Sequence, residues 1–211
     1  MPYVAPVKDM LFVMNELAGL ADVVAYPSYA EAGADVDLAP AILEESAKFN
    51  QDVIAPLNWP GDQHPSTWKD GVVTTSPGFK EAFQQFGAAG WQGVVHPAEF
   101  GGQGLPKLIA TACFEMAHSA SLSFALCPML TDGAIEALLT AASPELQEQY
   151  VPNMISGEWT GSMCLTEPQA GSDLSMVRAR AVPEGNDSYK IFVPRFILPM
   201  ANMIWRRILS I

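Results

Sequence analysis

At 211 residues, with 49% hydrophobic and 16% charged residues, the chain has enough apolar side chain to bury a core and too little charge for a disordered segment. Its formal charge of −12 excludes nucleic acid as a partner, because phosphates require clustered Lys and Arg, and it argues against a basic patch for a membrane surface. The three cysteines, Cys113, Cys127 and Cys164, show no CxxC spacing and leave an odd number. Neither a disulfide framework nor a zinc site is indicated, so a reduced, cytoplasmic setting is expected.

The first residues show no basic stretch followed by an apolar run, and no export signal is read there. Pro6 followed by Val7, Met10, Leu11, Met14 and Leu17 places apolar residues at helical spacing up to Gly19. That pattern predicts a short amphipathic helix in an N-terminal arm, residues 1–35. A second helix is predicted over 38–54, with Asp37 placed to cap it and Ile42, Leu43, Phe49 and Val53 along one face. Pro56 is expected to stop it. Residues 57–76 hold Pro60, Gly61, Asp62, Pro65, Asp70 and Gly71 and read as a long loop with a hairpin at 69–75.

Helix resumes at Pro77, where Phe79, Phe83 and Phe86 recur every three or four residues as a core stripe ending at Gly87 and Gly90. Two further apolar helices are predicted over 105–119 and 129–142, neither long enough to cross a bilayer. Ser143, Pro144 and Glu145 supply a cap, a first-turn proline and an acid at the positive end of another helix, which ends near Gly157. From Glu158 the pattern changes. Trp159, Thr160, Met163, Leu165 and Thr166 suit a strand, a Gly/Pro loop follows, and strands at 177–182 and 188–192 flank a turn at 184–187. The chain therefore reads as mainly α, with a helical domain over 36–159 handing over to a β domain.

The segment most informative about chemistry is 162–173, SMCLTEPQAGSD, in which the strand runs into a loop of Gly, Ser, Thr and acid. Ala170 and Gly171 allow backbone N–H groups to approach a ligand, and the hydroxyls of Thr166 and Ser172 can donate to a phosphate or a heteroaromatic ring. The same residues also suit an ordinary solvated turn punctuated by Pro168 and Gly171. His64, His96 and His118 are scattered and read as structural, so no metal is expected. Ser121, Ser123 and Ser162 lack a GxSxG elbow, and hydrolase chemistry is not indicated.

TEPQAGSD after an apolar strand resembles the signature of the acyl-CoA dehydrogenases, and a second block, GWQGVVHPAEFGGQG at 90–104, matches that family too. The resemblance covers residues 36–192. The arm, with PYVAPVKDM and NELAGL, resembles a subgroup that includes 3-(methylthio)propanoyl-CoA dehydrogenases. The resemblance implies an N-terminal helical domain followed, over 160–192, by the first strands of a middle β-barrel. It also implies FAD-dependent α,β-dehydrogenation of an acyl-CoA thioester, in which a glutamate takes the α-proton and hydride passes to the flavin. An electron-transfer acceptor and a homo-oligomer are implied as partners, and no membrane.

By the same resemblance Met163, Cys164, Leu165, Thr166, Gly171 and Ser172 contact FAD. Leu165 and Thr166 would meet the flavin ring, and Ser172 the pyrophosphate and the CoA of the substrate. Residues 99–104 are expected to form a tight turn between helices. The family's base lies in a C-terminal helical domain past residue 211, so no catalytic residue is expected here. Glu99, Glu115 and Glu167 are not given that role, and the chain alone is expected to be inactive. A non-catalytic helical interaction module keeping the same fold is the alternative.

After Phe192 the family continues with a strand forming a second wall for the flavin, whereas this chain reads VPRFILPMANMIWRRILSI. Ile204, Trp205, Ile208 and Leu209 fall together on a helical wheel, as in a membrane-surface helix. A one-base shift of frame is the preferred reading. Residues 198–203 can be encoded TTA CCT ATG GCG AAC ATG, and the shifted frame of that string reads TYGEH, similar to the family's continuation. Residues 193–211 are thus expected to be an out-of-frame tail.

Overall fold

The computed structural model describes residues 2–185, 188–192 and 207–210, the last four through their backbone alone. The arm opens with α1, Val7–Phe12, which passes directly into a π-helical turn, Val13–Leu17, and ends at Gly19, whose φ is +67°. Two short helices, α2 (Leu20–Val24) and α3 (Pro27–Glu31), lead to α4, Leu38–Phe49. Met10, Met14 and Leu20 of the arm are buried in one cluster with Leu43 of α4 and with Ile109 and Met116. Each such side chain contributes roughly 1.5–3 kcal/mol when fully buried.

Helix α4 starts at the expected residue without the expected cap. Asp37 has helical backbone angles, φ −72° and ψ −16°, and its side chain accepts nothing from the first turn. A capping side chain must leave an extended backbone to reach back to the open N–H groups. Nor does Pro56 stop the helix. The ladder widens into a π-helical turn, Asn50–Ile54, and α5, Ala55–Gln63, continues through Pro56 and Pro60. Pro56 falls in the first turn of α5, where a missing N–H costs least. Residues 57–63, the first third of the expected loop at 57–76, are consequently helix. The hairpin is present, as β1 (Thr67–Lys69) paired with β2 (Val72–Thr74) around Asp70 and Gly71, both at positive φ.

The phenylalanine stripe of α6, Phe79–Ala88, is core as expected. After the glycine-rich turn come α7, Lys107–Ala120, and α8, Leu122–Ala141. The Phe124 ring of α8 lies 6.2, 6.5 and 5.9 Å from those of Phe79, Phe83 and Phe86. Helix α8 corrects the expected start at 129, because it begins at Leu122 and carries Pro128 within it. With 20 residues it is long and apolar enough to cross a membrane, contrary to the expected length; here Phe124, Cys127, Thr131, Ala134 and Ile135 are buried in the protein.

Helix α9, Pro144–Ile155, begins after Ser143 and ends before Gly157, whose φ is +74°. Ser143 occupies the cap position, yet its side chain caps no helix N–H. Its hydroxyl donates instead to Glu145, which holds that carboxyl below its ordinary range. Gln147 Nε2 donates to the carbonyls of Leu138 and Ala142, tying α9 to the end of α8.

Beyond α9 the structure turns extended. β3 is Trp159–Ser162, and β4 (Arg180–Gly185) pairs antiparallel with β5 (Ser188–Phe192). The turn expected at 184–187 falls partly outside the described residues. β3 ends at Ser162 rather than running on to Thr166. Of the expected tail, residues 193–206 and 211 lie outside the described ones. Arg207–Ser210 forms β6, extended rather than helical, and pairs in parallel with β3. An open strand edge offers N–H and C=O groups to any extended backbone, so such pairing demands little of the side chains. The chain is mainly helical, with a few short strands.

Candidate functional site

The site is the segment that leaves β3. Thr160, Gly161 and Ser162 are buried against α8 and α9, and the strand lies so close to α8 that only glycine fits at its centre. A Cβ on Gly161 would collide with Ala134 Cβ and sit 2.9 Å from Met154 Cε. The approach is fixed by polar contacts as well. Gly161 N–H donates to Thr131 Oγ1 at 3.1 Å, and the Thr131 hydroxyl donates to the Cys127 carbonyl at 2.9 Å.

Past Ser162 the chain emerges from the core. Met163 and Leu165 are 42% and 37% exposed, while Cys164 and Thr166 are half-buried. The following turn is closed by two backbone hydrogen bonds, Glu167 N–H to Ala170 O at 3.2 Å and Ala170 N–H to Glu167 O at 3.0 Å. Gly171 and Ser172 are exposed, and no other atom lies within 4 Å of the point where a Cβ on Gly171 would stand. Asp173 then caps a short 3-10 turn, Leu174–Met176, accepting from Ser175 N–H at 3.0 Å and from its hydroxyl at 2.7 Å. The Ser175 hydroxyl, with its N–H second, holds the Asp173 carboxyl below its ordinary value.

The six residues expected at a cofactor thus lie on one short loop, four entering and two leaving the Glu167 turn. Met163 and Leu165 could face a planar apolar ring. Gly171 and Ser172 could meet an anionic group through backbone N–H and hydroxyl donors. The groove between Ser162, Met163 and the α8 residues Leu130, Gly133, Ala134 and Ala137 is only about 70 Å³. Sites that enclose a cofactor occupy roughly 300–1,000 Å³, so this loop fits one wall of such a site.

Two residues of the site went unassigned in the sequence. Thr131, which holds β3, sits on an apolar helix with nothing in its spacing to mark it. Glu167 is buried, and its carboxylate accepts from Arg178 N–H (2.8 Å), Ala179 N–H (2.9 Å) and Gln169 Nε2 (2.6 Å). Both of its oxygens are so engaged.

The second block, 90–104, folds back on itself through Gln103 N–H to Gly93 O (2.8 Å), Gly104 N–H to His96 O (2.9 Å) and Leu105 N–H to Val94 O (2.9 Å). Gly102 must be glycine there, because a Cβ would strike the His96 carbonyl. His96 is buried with Nε2 2.9 Å from Asp132 Oδ1, a contact too misaligned for a hydrogen bond. The ring of His118 lies 2.7 Å from the Phe114 carbonyl through Nδ1. Among the described residues no three His, Cys, Asp or Glu side chains converge on a metal-sized site. None of the cysteines forms a disulfide, and burial pushes the thiols of Cys113 and Cys127 up to about 11 and about 12.

Comparison with known proteins identifies this architecture. Residues 39–158 match the model of the acyl-CoA dehydrogenase N-terminal domain. A 3-methylmercaptopropionyl-CoA dehydrogenase of Ruegeria pomeroyi is 45% identical over 191 residues, which are 90% of this chain and 32% of that protein. A butyryl-CoA dehydrogenase of Syntrophomonas wolfei is 32% identical over 186 residues, 86% of this chain and 30% of that one. The chain therefore spans about a third of the length of these relatives. Among solved structures, butyryl-CoA dehydrogenase from Megasphaera elsdenii superposes with a TM-score of 0.62 at 19% identity, over 75% of this chain and 39% of its own. A glutaryl-CoA dehydrogenase in complex with glutaryl-CoA gives 0.61 at 26% identity, over 72% and 37%.

Proposed function

Because the chain belongs to the acyl-CoA dehydrogenase family through its N-terminal helical domain, we propose that its 163–172 loop forms one wall of an FAD site. The reaction at that site is α,β-dehydrogenation of an acyl-CoA thioester. Held by the residues of this loop, FAD would supply the redox chemistry as the hydride acceptor. Met163 and Leu165 give the ring an apolar face, Thr166 offers a hydroxyl beside it, and Gly171 and Ser172 donate to the pyrophosphate. The proton-abstracting glutamate is assigned to none of this chain's residues. An electron-transfer acceptor and a homo-oligomeric assembly belong to the same proposal.

The observation that carries this reading is a strand buried up to Ser162 that releases exposed apolar residues at Met163 and Leu165 next to a glycine and hydroxyl loop. Exposed apolar groups beside well-placed donors are what a planar, phosphate-bearing cofactor would cover. The test replaces the matching region of the Ruegeria relative, 45% identical, with residues 2–192 of this chain. The purified hybrid should be yellow, and 3-methylmercaptopropionyl-CoA should bleach its flavin band without oxygen. A folded, colourless hybrid that takes up no FAD would end the proposal.

A further inference from the structure

We propose that Glu167 is the positioning residue of this loop, a carboxylate clamp that fixes the loop's shape by holding the start of the β4 hairpin against it. The identification of the loop's ligand rests on the flavin reading above; the clamp itself does not.

Glu167 is 1% exposed, so its carboxylate has left water and needs compensating donors. It finds them on both sides of the loop. Arg178 N–H donates to Oε2 and Ala179 N–H to Oε1, while Gln169 Nε2, two residues away, also donates to Oε2. The two backbone donors are successive residues leading into β4, Arg180–Gly185, and each carboxylate oxygen takes one of them. Both oxygens are therefore required, and both must accept. A glutamine has the same shape but one accepting oxygen; its NH₂ group would face a backbone N–H.

The consequence concerns residues that Glu167 does not touch. Between Glu167 and Arg178 the chain must close a loop of fixed ends, and Gln169 Nε2 reaches across it to the Met176 carbonyl at 3.2 Å. Gly171 and Ser172 lie within that closed segment. Their backbone donors take a defined direction only while the ends stay clamped, because the glycine has no steric preference of its own. Charge-assisted hydrogen bonds to backbone N–H are about twice as strong as neutral ones. That strength suits a clamp between a loop and a strand start that are largely exposed around it.

The test uses two variants, Glu167→Gln and Glu167→Asp, read by amide hydrogen exchange in the full chain and by quenching of FAD fluorescence in the hybrid bearing residues 2–192. In the wild type the Arg178 and Ala179 amides should exchange at least tenfold slower than in a free peptide. Glu167→Gln should abolish that protection and weaken FAD binding tenfold or more, with protection in α7 and α8 unchanged. Glu167→Asp keeps both accepting oxygens and should recover part of both signals.

Free-peptide exchange at Arg178 and Ala179 in the wild type overturns the proposal, whichever variants fold. Unaltered exchange in Glu167→Gln, or loosened exchange with undiminished FAD binding, overturns it too. The expected exchange pattern in a hybrid that never quenches FAD supports the clamp and counts against the flavin reading instead.

Discussion

Gly161 N–H donates to Thr131 Oγ1 across 3.1 Å, which joins the strand that feeds the loop to the middle of α8. The same hydroxyl donates to Cys127 O within its own helix, so one side chain satisfies two backbone groups where strand and helix touch. Thr131→Val keeps the shape and leaves the buried Gly161 N–H without its acceptor. The expected loss is about 1–3 kcal/mol, visible in chemical denaturation. Exchange at the Gly161 amide should quicken in step, and a variant as stable as wild type would show that packing alone holds β3.

Phe124 sits among Phe79, Phe83 and Phe86 and is fully buried. Truncating it to alanine should cost about 3–5 kcal/mol, since the surrounding rings cannot collapse into the space. Phe12 on the arm is 61% exposed, and Phe12→Ala should change stability by less than about 0.5 kcal/mol. Thermal unfolding of the two variants side by side checks the contrast.

The thiols of Cys113 and Cys127 stand above their ordinary value of 9.0, at about 11 and about 12, because burial disfavours the thiolate. Below pH 9 the neutral thiols stabilise the fold fully; as pH rises through the folded values that contribution is lost, since the unfolded chain ionises first. Stability should therefore fall between pH 9 and about 12. At pH 8, a thiol reagent such as 5,5′-dithiobis(2-nitrobenzoate) should modify part-exposed Cys164 and spare the other two. Rapid labelling of three thiols in native protein would contradict the burial of Cys113 and Cys127.

The Asp173 carboxyl lies below its ordinary value of 3.8, held there first by the Ser175 hydroxyl and then by its N–H. The turn it caps should be fully formed above pH 3.8 and come apart as pH falls through the lower folded value. The Ser175 amide resonance reports this in an acid titration, and Asp173→Asn should remove most of the response.

The elements with strong periodicity were legible in the sequence: the phenylalanine stripe of α6, the proline-started α9 and the hairpin at Asp70 and Gly71. Prolines misled. Pro56 read as a break, but a widened π-helical turn accommodates it, and the helix expected from 129 starts seven residues earlier with Pro128 inside it. Asp37 failed as a cap because capping depends on backbone angles that a residue type does not dictate. At the proposed site, Met163, Leu165 and Ser172 were assigned through a motif, whereas Thr131 and Glu167 act through contacts 30 and 11 residues distant, which no local pattern reports.

The central claim is that residues 163–172 face the flavin, and the most direct measurement is the hydrogen-exchange footprint of FAD on the hybrid bearing residues 2–192. Amides at 163–166 and at 171–172 should slow when FAD is added to the stripped protein. FAD that binds while those amides exchange as before would contradict the claim.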